Sequence, residues 1–153
     1  VIWNTKDITL FFQEQKYIDT AVVPLLPVSF GDQAKQEADQ AEFIPLVTAL
    51  LEKQFKGRMM LLPPFTYFSN ESTDLKLQRM KQWSETLKEK GFEHVFLITS
   101  DPFWREVEKE ISADLIWLPS IPMEHMDGKY KQKIIEDQVS QLLKIVVGKW
   151  QTN

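Results

Sequence analysis

Four short apolar runs recur along the chain with helix-patterned stretches between them: DTAVVPLLPV (19–28), RMMLL (58–62), EHVFLIT (93–99) and DLIWL (114–118). Strands separated by helices need crossover connections, and crossovers impose parallel pairing. Strands that are apolar on both sides are those covered on both faces. The expected fold is α/β: a three-layer α/β/α sandwich with a four-stranded, mostly parallel sheet, flavodoxin-like or Rossmann-like. No composition shift or linker divides the 153 residues, so 1–153 read as a single domain. A domain of that size buries roughly 70% of the surface its unfolded chain exposes.

Between the runs, Thr5 to Tyr17 reads as an amphipathic helix with Ile8, Phe11 and Phe12 on one side and Asn4 or Thr5 as cap. Pro24 removes a ladder donor, so the first strand should end near it or lie at an edge or bulge. Residues 31–42, the most polar stretch, read as a mobile loop or an exposed helical turn. Phe43 to Lys56 is helical, with Pro45 in its first turn or inside a longer helix, and Gly57 as its C′ stop. Pro63-Pro64 break the second strand. Thr73 to Lys90 forms a helix capped by Ser72 or Thr73, with Met80, Trp83 and Leu87 in line and Gly91 at its end. Asp101-Pro102 open a helix to Ile111, and Pro119 closes the fourth strand. The last helix runs from about Lys129 to Trp150, striped by Ile135, Val139, Leu142 and Val146.

Absences exclude several chemistries. The chain has no Cys, which removes disulfides, thiolate zinc, cysteine-ligated clusters and thiol nucleophiles, and fits a reducing cytoplasm. Its two His, His94 and His125, rule out a three-imidazole zinc site within one chain. The five glycines spell neither G-x-G-x-x-G nor a Walker loop. A formal charge of −4 argues against nucleic acid, whose partners usually carry a basic face. VIWNTKDITLFF lacks the pattern of a secretory leader, and AVVPLLPV falls far short of the ~20 residues that span a bilayer. A first residue other than Met suggests a chain trimmed at its start.

Open α/β sheets bind ligands beyond the carboxyl ends of their strands. That rule selects Val28-Ser29-Phe30, Phe65 to Ser69, Ser100 to Trp104, and Ser120 to Gly128. His94 lies at the opposite end and reads as an edge or surface imidazole. Asp101 stands where a phosphoaspartyl or metal-binding carboxylate often sits, yet Asp before Pro at a helix start is also a cap followed by an N1 proline. No second carboxylate occupies the immediate end of another strand, so no metal site is expected. His125, in PMEHMDG, could serve a divalent ion or act as a base, although a solvated loop explains it more simply. Lys129, Lys131 and Lys133 crowd a helix start, where cations oppose the macrodipole unless they share an anion. Partners for Lys133 at Glu136 and Asp137 support the simpler reading of a solvated face.

Aromatic residues concentrate at the same exits: Phe30, Phe65, Tyr67, Phe68, Phe103 and Trp104, with Met123 and Met126 in the fourth loop. Facing solvent together they would make an adaptable binding surface; facing inward they would anchor loops.

At KYIDTAVVPLLPVSFG, LLPPFTYF, ITSDPFWRE and LIWLP the chain resembles a family of small uncharacterised proteins from Bacillus and its relatives, over nearly its whole length. The resemblance implies no activity, cofactor or catalytic residue. It implies only that the family's genes tend to lie near those for the menaquinol:cytochrome c reductase, an association that shows no contact.

Two functions follow as expectations. The first is a cytoplasmic binding or accessory protein that engages a protein partner through the aromatic exit edge, with Tyr67 and Trp104 at its centre and Phe30 beside them. The second is a small-ligand protein or enzyme for a phosphorylated metabolite or nucleotide. There Ser100, Asp101 and Ser120 would line the pocket, and Lys129 and Lys131 would neutralise the anion. A concave pocket would favour the second reading and a flat apolar face the first.

Overall fold

A computed structural model describes residues 1–152 of the chain. Helix α1 (Thr5–Gln13) starts under Asn4, whose side chain accepts from the Asp7 N–H at 2.7 Å. It ends four residues before Tyr17, where a turn returns Ile18 to the core. There follow β1 (Thr20–Val28), α2 (Ala34–Gln54), β2 (Met59–Leu61), β3 (Phe65–Phe68), α3 (Thr73–Glu89) and β4 (His94–Thr99). The chain closes with α4 (Phe103–Glu106), β5 (Asp114–Trp117) and α5 (Gly128–Gln151). The fold is the expected α/β sandwich, and its ladders are parallel in the order β2-β1-β4-β5, with β3 also paired to β1.

The sheet has five strands, not the expected four. The additional one, β3, comes from a segment that the proline pair had suggested was loop. Leu61 aligns with Val22 and Phe65 with Leu25, so four steps along this edge oppose three along β1. β2 and β3 therefore act as one edge strand carrying a bulge at Pro63-Pro64.

β1 neither ends at Pro24 nor lies at an edge. Thr20 donates to Arg58 and Val22 accepts from Leu62, so even-numbered residues of β1 turn their backbone groups toward β2 and β3. Asp19 accepts from His94, so odd-numbered residues turn toward β4. The donor that Pro24 lacks thus points at the break around Pro63-Pro64. The donor that Pro27 lacks points past Thr99, where β4 has stopped. Each proline faces a place where its ladder partner has lapsed, so neither costs a bond.

Side chains alternate across the sheet as the pleat requires. Ala21, Val23, Leu25, Val95 and Leu97 meet Phe11, Met80, Leu87 and Trp104 from α1, α3 and α4. Val22, Leu26, Phe96 and Ile98 meet Phe43, Val47 and Leu51 of α2 and the Ile135–Val139–Leu142–Val146 stripe of α5. The polar stretch expected as a loop or turn is the first part of α2, with Pro45 inside the helix. Its Ala, Lys, Gln and Glu residues are good helix formers, and Glu37 and Gln40 fall on the buried stripe that continues to Ile44 and Leu51.

Gly57 is not a left-handed C′ stop, because α2 has already ended at its Phe55 cap. Gly91, at φ 103°, does play that role for α3. The helix after Pro102 is also shorter than expected, stopping at Glu106 before a 3-10 turn. Among the described residues, no helix is long and apolar enough to cross a membrane.

Candidate functional site

The chain leaves β1 through α2 on one face and reaches β4 through α3 on the other. The carboxyl ends of β1 and β4 therefore flank the topological switch point, where α/β sheets open a crevice. Two concavities lie at the strand exits, the inner beside this switch point and the outer between the ends of β1 and β3. The outer, about 750 Å³, is walled by Phe30, Asp32, Phe68 and Asn70; the inner, about 340 Å³, by Gln40, Lys76, Asp101 and Phe103. Gln33, Glu37 and Ser69 line both, so the two adjoin.

Its floor is polar. Glu37 is buried, and its two carboxylate oxygens accept from the Ser29 and Ser69 hydroxyls. Lys76, also buried, donates from Nζ to the Ser69 carbonyl at 2.8 Å and lies 4.1 Å over the Phe103 ring. Gln40 is 4% exposed, and its Oε1 has no partner among the described residues.

Asp101 sits half-buried at the inner end. It caps as the sequence allowed, Oδ1 accepting from the Phe103 N–H at 3.0 Å, and Oδ2 accepts from the Tyr67 hydroxyl at 2.5 Å. The same hydroxyl accepts from the Trp104 indole N–H at 2.7 Å. Burial, reinforced by the Asp101 charge, pushes the Tyr67 phenol far above its ordinary range, so it stays a donor.

This arrangement changes the meaning of the aromatic exits. Because residues 65–68 form a strand, alternate side chains face opposite ways, turning Phe65 and Tyr67 inward and Phe68 outward. Phe65, Tyr67, Phe103 and Trp104 pack edge to face or tilted, with ring centroids 5.0–6.2 Å apart. Tyr67 and Trp104 are core residues, contrary to the expected partner surface. Of the aromatic set, Phe30 (92% exposed) and Phe68 face solvent, and both edge the cleft.

The remaining candidates do not converge. Ser100 is buried beside Asp101, its Oγ without a partner among the described residues. Ser120, His125, Lys129 and Lys131 line neither concavity. His125 is exposed with φ 65° and pairs with Glu124 at 3.2 Å. Sequence reasoning missed Glu37, Gln40 and Lys76. Ser29 and Ser69 lay within selected segments but were not singled out.

At the opposite end of the sheet, His94 is buried rather than at the surface, stacked on Phe96. Asp19, Glu93 and His94 bring ligand atoms within 4.8 Å of one another, a spacing a metal could use although none was expected. Asp19 is already engaged by Arg58 at 3.0 and 3.2 Å and by the Thr20 hydroxyl at 2.8 Å. Burial raises its pKa, but these bonds outweigh burial and hold the carboxyl below its ordinary value. The Arg58 ion pair and the Thr20 hydrogen bond account for the Asp19 carboxylate.

Fold and cleft together define an α/β sandwich with a polar, aromatic-edged crevice at its switch point. Residues 9–150 match the family described as Protein of unknown function (DUF2487), and the chain belongs to that family. It is 35% identical over 150 residues to the uncharacterized protein YpiF of Bacillus subtilis strain 168, covering 98% of each chain. The strand-and-proline resemblance is thereby met. No solved structure matches.

Proposed function

We propose that the protein is a binding protein that works through its strand-exit edge and holds a small molecule there. The observation that supports this reading is concavity: two adjoining hollows open at the strand exits, the inner one lined by buried polar side chains. Its buried carboxylate, ammonium and amide would orient a ligand, while Phe30 and Phe68 would cover it. A cytoplasmic location belongs to the same proposal, in keeping with the absence of Cys, and is checked by cell fractionation.

The test is a thermal-shift panel of amines, nucleotides, phosphorylated metabolites and redox cofactors. A ligand at 100 times its dissociation constant adds ~2.7 kcal/mol and raises the midpoint by several degrees. The expected result is a saturable shift that Phe30→Ala weakens while leaving the apo midpoint unchanged. A flat panel would return the edge to a protein partner.

A further inference from the structure

We propose a second binding site, independent of the strand-exit hollows: a groove between α1 and the end of α3 that takes a free fatty-acid anion of medium length. The groove encloses about 330 Å³ and shares no lining residue with either hollow. Ile8 and Phe12 line it from α1, Leu87 from the end of α3, and Met60 from β2. Phe11 and Phe92, stacked with centroids 5.6 Å apart, line it as well. Packing within the chain leaves this lining partly wet, since Phe12 is 66% exposed and Trp3, at the same groove, 61%. An apolar occupant removes that surface from water.

Charge selects the occupant. Lys90, the C-cap of α3, is the one charged residue among those lining the groove, and among the described residues its ammonium pairs with no carboxylate. Lys90 is exposed, so its methylene stem can border the groove while the charged head stays in water. An alkyl chain ending in a carboxylate matches that layout, the chain against the aromatic rings and the head in water beside the ammonium. A lysine at a helix C-terminus also complements the macrodipole, which accounts for Lys90 and leaves the apolar lining unexplained. Size agrees with a single chain: the volume lies near the lower end of the ~300–1,000 Å³ typical of small-molecule pockets. An anionic bilayer is a poorer match, because it is recognised by clusters of about 4–8 Lys or Arg.

The experiment titrates hexanoate, octanoate, decanoate and the neutral 1-decanol, each below its aggregation limit, into the 15N-labelled protein. Binding is followed at the amides of Phe12, Gly91 and Phe92, with Ser69 reporting on the strand exits. The expected result is saturable shifts at the first three amides and none at Ser69, with each two-carbon extension tightening binding by about an order of magnitude. Decanoate should bind severalfold tighter than 1-decanol, by a margin that shrinks with added salt. Lys90→Gln should erase the margin while the affinity for 1-decanol stays unchanged. Phe12→Ala, at an exposed position, should weaken both ten-carbon probes and leave the melting midpoint of the free protein in place. Equal binding of acid and alcohol, no dependence on chain length, or shifts centred on Ser69 would overturn the proposal. So would silence of all four probes, whether sedimentation then shows a dimer that Phe12→Ala dissociates, or phosphatidylglycerol vesicles retain the protein, or neither.

Discussion

Removing the Tyr67 hydroxyl while keeping its ring isolates one polar device at the inner end of the cleft. The hydroxyl donates to Asp101 at 2.5 Å and accepts from the Trp104 indole N–H at 2.7 Å. Tyr67→Phe therefore loses a bond to a charged group, about 1.5–3 kcal/mol in net terms, and strands a buried donor at about 1–3 kcal/mol. Asp101 is only half-buried and regains water, so the sum lies nearer the lower bounds, about 3 kcal/mol. For a chain of this size that is a fall of about 6–12 °C in the melting midpoint. Urea unfolding at pH 7, followed by far-UV circular dichroism, reads the loss directly. A destabilisation below about 1 kcal/mol would show that the hydroxyl contributes little beyond its ring. A cycle with Trp104→Phe sharpens the test: the double variant should lose about 1 kcal/mol less than the two singles together, and strict additivity would refute the coupling.

Other expectations follow from the same geometry. The Tyr67 phenol is raised on folding, so its contribution is fully present below the unfolded pKa near ~10 and declines as pH rises above it. Wild type should thus lose stability more steeply than Tyr67→Phe between pH 9 and 11 in urea titrations. Asp19 is lowered on folding, so its contribution is present above the unfolded value near ~3.9 and lost as pH falls through the folded one. With Arg58 partly exposed the pair contributes less than about 1 kcal/mol, and Asp19→Asn should cost that at pH 7 and nothing near pH 2. Gly91→Ala should cost about 1–2 kcal/mol because φ is 103°, whereas Gly57→Ala, unstrained and in open space, should be neutral or stabilising; calorimetry separates them. Leu142→Ala, fully buried where α5 meets the sheet, should cost about 2–5 kcal/mol in the same scans.

The layers were legible because their causes are local. Apolar runs of strand length and the Ile135–Val139–Leu142–Val146 stripe carry their own periodicity, and no other packing buries them. The prolines misled because the rule about them concerns donors, and which neighbour a donor faces is a property of two strands. Pro24 and Pro27 sit in the best-covered strand of the sheet only because the Pro63-Pro64 break and the end of β4 fall opposite them. Nothing within residues 19–28 states that. F-T-Y-F had the alternation of a strand, and the adjacent proline pair outweighed it.

The site shows where sequence reading stops and why. The carboxyl edge follows from strand direction, so Ser29, Ser69 and Asp101 could be placed near one another before any coordinates. Whether an exit residue points into the core or the crevice depends on one step of register. That step sends Tyr67 inward to hold Asp101 and Phe68 outward to edge the cleft. The same limit hid Glu37 and Gln40. In a stretch as polar as GDQAKQEADQAE, composition indicates solvent, and only the docking of α2 against β1 turns one stripe of it inward. Burying a carboxylate and an amide there is unfavourable unless each is satisfied. Glu37 is satisfied by two serines from different strand exits, whereas the Gln40 carbonyl is not. Polar groups ill suited to an apolar core thus line the crevice at the strand exits, where the docking of α2 places them.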